Sequence, residues 1–154
     1  MPFSFIPSGE SRELADDVRE LFSELAATLR HDQRAFSGEC HPALDVRETD
    51  ETIEVVVDVS GVPEGALRVL FRDGILLVAG EKAPAHATEE QTYHLVEREF
   101  GRFARAVRVK GAFDVAHARA TAERGELTVV LPKLSERRGR AHPIPVTAPG
   151  SRPA

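Results

Sequence analysis

Thr52-Ile53-Glu54-Val55-Val56-Val57-Asp58-Val59 is the stretch that decides the fold class. Ile53, Val55, Val57 and Val59 stand at every second position. A period of two sends alternate side chains to opposite faces of an extended chain, so the stretch predicts a strand with one apolar face. β-branched side chains suit that pleated surface. The pattern recurs outward from it. Leu67, Val69 and Phe71 alternate with Arg68 and Arg72, and after Asp73-Gly74 a further strand is expected over residues 75–79. Asp-Gly is a hairpin signal because a type I′ turn needs positive φ, which these residues tolerate best. A second hairpin is expected where Thr121-Ala122-Glu123-Arg124 leads through Gly125 to Leu127, Val129 and Leu131. Short strands punctuated by turns at this density predict an all-β, antiparallel, immunoglobulin-like β-sandwich.

Around this core the chain is short. Its 154 residues allow one domain with tails. Hydrophobic residues make up 42% and charged ones 29%, an ordinary globular balance, and the net charge of -5 gives no positive field to attract nucleic acid. The single Cys40 cannot form an internal disulfide, which suits a reducing compartment. No apolar run reaches the ~20 residues of a membrane helix, and no basic start precedes an apolar run as in a secretory signal. A cytoplasmic protein without membrane or nucleic-acid partners is the expectation.

Three regions follow: an N-terminal arm over 1–38, the β domain over 39–133, and a flexible extension over 134–154. The arm opens with Phe3, Phe5 and Ile6. Leu14, Val18, Leu21, Phe22, Leu25 and Leu29 then recur at steps of three and four, predicting an amphipathic helix. Ser11 is its expected N-cap, and Glu10 and Glu13 suit the positive end of its dipole. The stripe either docks on its own domain or packs on partner subunits and clients. Residues 82–92 form a polar stretch long for a hairpin loop. The extension carries one apolar interruption, Pro143-Ile144-Pro145-Val146.

The order of motifs resembles the alpha-crystallin small heat-shock family. Residues 42–49, Pro-Ala-Leu-Asp-Val-Arg-Glu-Thr, look like the family's opening strand. Asp58-Val59-Ser60-Gly61-Val62 stands where the family has an Asp-Leu-Pro-Gly-Val run, with Ser60 in place of the proline. Asp73-Gly74-Ile75-Leu76, Ala79-Gly80-Glu81-Lys82, Tyr93-His94, Glu97-Arg98 and Phe100-Gly101-Arg102-Phe103 follow in the family's order. The closing Ala120-Thr121-Ala122-Glu123-Arg124-Gly125-Glu126-Leu127 is similar to Ala-x-x-x-Asn-Gly-x-Leu, with Arg124 at the usual Asn. Arginine tolerates left-handed geometry less well than Asn, so a slightly strained turn is expected there.

The resemblance implies an ATP-independent holdase that binds non-native client proteins, needs no cofactor, and passes clients to ATP-dependent chaperones for refolding. It also implies roles for residues. Ile144 and Val146 would anchor the extension in a groove on a neighbouring subunit, formed by Leu67, Val69, Phe71, Ala118 and Ala120. Two side chains two apart on an extended chain point to one side, and flanking prolines reduce the entropy lost on docking. Burying both is worth roughly 3–5 kcal/mol before ordering costs, so single contacts are weak and many hold an oligomer. Tyr93, His94, Leu95, Val96, Glu97 and Arg98 would be exchanged between subunits, pairing with the partner's first strand near Leu44 and Val46. Arg105 matches an arginine at the family's dimer interface. Phe3, Phe5, Ile6, Leu14, Val18, Leu21, Phe22, Leu25 and Leu29 are the candidate client surface.

Chemistry is not visible. The six histidines have no metal-ligand spacing, and neither a P-loop nor a nucleophile elbow occurs. Neither a catalytic nor a metal site is expected. Cys40 and His41 are expected to be surface residues near a domain edge. The rival to the holdase is a co-chaperone or scaffold of the same fold docking one dedicated partner; the Ile-x-Val pair argues against it.

Overall fold

The computed structural model describes residues 8–28, 40–84, 90–134, 143–144 and 146. Helix α1 spans Ser8–Thr28. Among the described residues seven strands follow: β1 Leu44–Glu48, β2 Thr52–Asp58, β3 Leu67–Arg72, β4 Ile75–Lys82, β5 Gly101–Arg108, β6 Arg119–Glu123 and β7 Glu126–Pro132. They form two antiparallel sheets, ordered β1-β2-β7-β6 and β3-β4-β5.

The alternation of β2 is realised as expected. Ile53, Val55 and Val57 are buried, and β2 pairs along its whole length with β7, from Thr52 opposite Pro132 to Asp58 opposite Glu126. Leu127, Val129 and Leu131 of β7 lie in the same core as Leu76 and Val78 of β4 and Phe103 of β5. The two sheets therefore face each other through their period-two apolar rows. Gly80 is required at this interface. A Cβ there would lie 2.4 Å from Phe103 Cζ and 2.8 Å from the Ala66 carbonyl oxygen.

Both expected turns have the backbone of type I′ hairpins. Asp73 and Gly74 take φ of 50° and 78° between the paired Arg72 and Ile75. Arg124 and Gly125 take 53° and 78° between Glu123 and Glu126. Arg124 thus holds a left-handed conformation that an L side chain with a long stem adopts at a cost. The β1–β2 turn uses side-chain capping instead: Thr49 Oγ1 accepts from the backbone N–H groups of Glu51 and Thr52 at 3.2 and 3.0 Å.

Three expectations are corrected. The helix begins at Ser8, so Ser11 lies in its first turn and does not cap it. The strand after Asp73-Gly74 runs beyond residue 79 to Lys82, because Gly80, Glu81 and Lys82 pair with Phe103, Arg102 and Gly101. Cys40 is buried, joined to the domain by its N–H donating to the Arg102 carbonyl at 3.3 Å. His41 is exposed, as expected.

Helix α1 lies on the outer face of the three-stranded sheet. Leu21 packs with Leu77 and Ala79 of β4, and Leu14, Val18, Phe22 and Leu70 close around them. At ~1.5–3 kcal/mol for each fully buried apolar side chain, one buried leucine and three partly buried neighbours amount to about 5 kcal/mol. That gain suffices to hold a helix and is small enough to lose without unfolding the sandwich.

Two substitutions probe these assignments. Arg124→Asn should raise stability by about 0.5–1 kcal/mol, since Asn accepts left-handed φ more readily. Gly80→Ala should lower it by about 2–3 kcal/mol through overpacking against Phe103. Urea midpoints at constant slope measure both; an unchanged midpoint for Gly80→Ala would contradict the close approach.

Candidate functional site

Among the described residues each sheet ends in open edges: β1 and β6 on one, β3 and β5 on the other. An edge strand presents backbone donors and acceptors that another chain can pair with. Of the residues singled out in the sequence, Leu44, Val46, Leu67, Val69, Phe71, Arg105 and Ala120 fall on these edges.

β1 carries Leu44, which packs partly against the core, and Val46, which is exposed. Residues 93–98 belong to none of the strands. Tyr93, His94, Glu97 and Arg98 are exposed, Leu95 is 75% exposed and Val96 nearly as much. With Phe100 and Pro84, five of them (Tyr93, Leu95, Val96, Glu97 and Arg98) line an open cleft of about 280 Å3. The segment is tethered at its base. The Arg98 guanidinium lies 5.0 Å and Lys82 Nζ 5.9 Å from the Phe100 ring centre, two cations on one aromatic ring. Residues 85–89 of the preceding loop lie outside the described residues.

Arg105 stands on edge strand β5. Its guanidinium donates to the Pro42 carbonyl oxygen at 2.6 Å, tying β5 to the segment that enters β1. The nearby Cys40 thiol has its pKa raised by burial; Lys82 lowers it and Glu99 raises it further. Cys40, His41, Asp58, Lys82 and Glu99 border a recess of about 240 Å3.

β3 and β6 are the other two edges. Leu67 is buried, Val69, Phe71, Ala118 and Ala122 are partly buried against the same core, and Ala120 is exposed. Phe71 meets Phe113 edge-to-face at 5.9 Å, which supports this side of the sandwich. Ile144 and Val146 are 86% and 99% exposed.

The helical stripe has a definite place. Leu14, Val18, Leu21 and Phe22 face the sheet of their own chain, and Leu25 belongs to the same helix. Phe3, Phe5, Ile6 and Leu29 lie outside the described residues. Among the described residues no cluster of His, Cys, Asp and Glu could hold a metal ion, and no helix is long and apolar enough to cross a membrane.

Residues 45–147 match the Hsp20/alpha crystallin family. The chain belongs to that family. It is 31% identical over 121 residues to heat shock protein 16 of Schizosaccharomyces pombe, covering 77% of this chain and 85% of that one. The 21.9 kDa heat shock protein of Oryza sativa is 39% identical over 105 residues, 62% of this chain and about half (51%) of that protein's length. Among solved structures, heat shock protein 16.0 from Schizosaccharomyces pombe superposes with a TM-score of 0.60 at 29% identity, over 70% of this chain and 99% of that one. The Hsp20/alpha crystallin family comprises ATP-independent chaperones, not enzymes, whose members form oligomers and bind client proteins.

Sequence reasoning missed the charge frame around α1. Cross-strand partners share a face, so the register places Arg68, Ala79 and Ala104 in one row, Leu70, Leu77 and Ala106 in the next, and Arg72, Ile75 and Arg108 in a third. Arg102, opposite Glu81, completes the border. Asp17 of α1 reaches Arg72 at 2.9 Å, Glu24 approaches Arg68 at 3.8 Å, and Phe22 lies under the Arg102 guanidinium at 5.5 Å. The spacing of Asp17 and Glu24, seven apart and beside the stripe, was the available signal.

The buried Cys40 gives a pH prediction. Its raised pKa means that the fold favours the neutral thiol. The resulting stability is complete below the ordinary thiol pKa and declines as pH rises past that value toward the folded one. Native Cys40 should react with a disulfide reagent more slowly than glutathione from neutral to mildly alkaline pH, and its rise in rate should come at higher pH. A glutathione-like profile would refute the burial.

Proposed function

We propose that this chain is an ATP-independent holdase of the cytoplasm, which binds unfolding proteins and keeps them from aggregating. The observation that carries the reading is the set of matched open surfaces on one small sandwich. Edge strand β1, the exposed segment 93–98, edges β3 and β6, and the exposed Ile144 and Val146 all offer apolar or backbone groups to another chain.

In this reading, segment 93–98 pairs with β1 of a second copy, adding a strand to its sheet by β-augmentation. Tyr93, Leu95 and Val96 then exchange water for the partner's surface near Leu44 and Val46. Arg105 belongs to the same region, where its bond to Pro42 braces the entry to β1. The dimers assemble further when Ile144 and Val146 enter the groove of Leu67, Val69, Phe71, Ala118 and Ala120 on a neighbour. Each anchor is weak alone, so warming shifts the population toward open forms. Apolar surface for clients comes from the N-terminal arm, including Leu14, Val18, Leu21, Phe22 and Leu25, and from the vacated groove. Captured clients pass to ATP-dependent chaperones for refolding.

The test is light scattering of a heat-denatured client without ATP. Suppression at near-stoichiometric ratios is expected; none at any temperature that opens the oligomer would point to a module with one dedicated partner. Ile144→Gly with Val146→Gly should leave the dimer and abolish larger assemblies, as sedimentation velocity measures. Deleting residues 89–98 should yield folded monomers, and a dimer persisting after the deletion would rule out strand exchange.

A further inference from the structure

We infer that the outer face of β3-β4-β5, beneath α1, is itself a docking site, and that it takes amphipathic client helices carrying carboxylates beside an apolar stripe. The inference rests on the holdase reading and names the client class and the surface. Four arginines, Arg68, Arg72, Arg102 and Arg108, border this face, Arg102 standing 4.0 Å from the buried Glu81, and Leu70, Ile75, Leu77, Ala79, Ala104 and Ala106 make its floor. α1 covers it in the closed protein and shows by its own chemistry what the face accepts. Leu21 fills the floor against Leu77, which is only 2% exposed, and against Ala79. Asp17, 8% exposed, sets its carboxylate 2.9 Å from Arg72, and Glu24 stands 3.8 Å from Arg68. Phe22 offers its ring to Arg102 at 5.5 Å.

A sheet face is broad and repeats every second residue, so it reads the stripe and its flanking charges instead of a particular sequence. A basic stripe is rejected by the same arginines, which makes the face selective by charge. α1 acts as a cover in cis. Its local concentration is high, so a client helix gains access when the cover lifts, and its apparent affinity is scaled by the open fraction. Lifting exposes two surfaces together, the helix stripe and the sheet face. The sheet face keeps its shape without the helix because its strands are held by their own ladders and by the core behind them.

The experiment uses the full chain and a fluorescent peptide of residues 8–28, followed by anisotropy. Leu21→Asp places a charge on the apolar floor and releases the cover without altering the sheet. Asp17→Lys, which sets a cation against Arg72, releases it by another route should the first variant fold poorly. The peptide should bind either variant at least about tenfold more tightly than the wild type. Adding Leu77→Asp to Leu21→Asp should abolish that binding, whereas a site on the helix stripe would be unaffected. Arg72→Glu should weaken it, and a peptide with Asp17→Lys should restore it. An unlabelled amphipathic helix with flanking carboxylates should compete, and the same helix with lysines in their place should compete about tenfold less well. Equal binding to the wild type and both released variants, or binding indifferent to Leu77→Asp, would overturn the inference. Because this readout needs no aggregating client, failed aggregation suppression with intact peptide binding would sink the holdase reading and leave the docking site standing.

Discussion

Burial of β4 on both faces is the constraint on which the rest of the structure depends. Every residue from Ile75 to Glu81 is buried. One face, Leu76 and Val78, closes on β2 and β7; the other, Leu77 and Ala79, closes on α1. A strand in an antiparallel sheet commonly leaves one face to water, and its side chains then alternate in polarity. β4 does not alternate, and its run of Ile75-Leu76-Leu77-Val78-Ala79 demands two apolar neighbours. The opposing sheet supplies one, and the N-terminal helix the other.

This arrangement separates two strengths of packing in one small protein. The inner interface contains the largest fully buried side chains, among them Leu76, Leu131, Val55 and Val57, and Gly80 lets the Phe103 ring close on β4. Loss of that interface is loss of the fold. The outer interface has one buried leucine, partly buried neighbours, and ion pairs that each keep one partner in water, Arg72 in one and Glu24 in the other. Exposed ion pairs contribute little to stability but orient what docks. Helix layer and core can therefore respond to different conditions, which the proposed holdase action requires.

The edges follow from the same economy of size. The sheets of four and three strands do not join into a barrel, so among the described residues four strands remain edges. The Hsp20/alpha crystallin family forms oligomers, and in the proposed reading these edges serve assembly, where another protein would need to guard them. Arg105 illustrates how an edge is kept in order. It occupies an inward-facing position opposite Val78, yet its guanidinium leaves the core to satisfy the Pro42 carbonyl. A long planar donor can do this from a strand margin, where a shorter side chain could not reach.

Local physics made much of the fold legible in the sequence. The alternation of residues 52–59 and 127–131 identified the strands of the central pair, since side-chain facing in a strand depends only on neighbours in sequence. Asp73-Gly74 identified a type I′ turn and Arg124-Gly125 a second hairpin turn for the same reason, and steps of three and four marked α1. Tertiary structure alone decided what depends on which segments meet. The destination of α1 was open between its own domain and a partner, because a stripe specifies an apolar surface but not whose. Cys40 is buried because its backbone bonds to Arg102, sixty-two positions away, which no local pattern records. The arginine frame arises from the registers Arg68–Ala79–Ala104 and Arg72–Ile75–Arg108. Scattered charges become one surface only when pairing brings them to the same face.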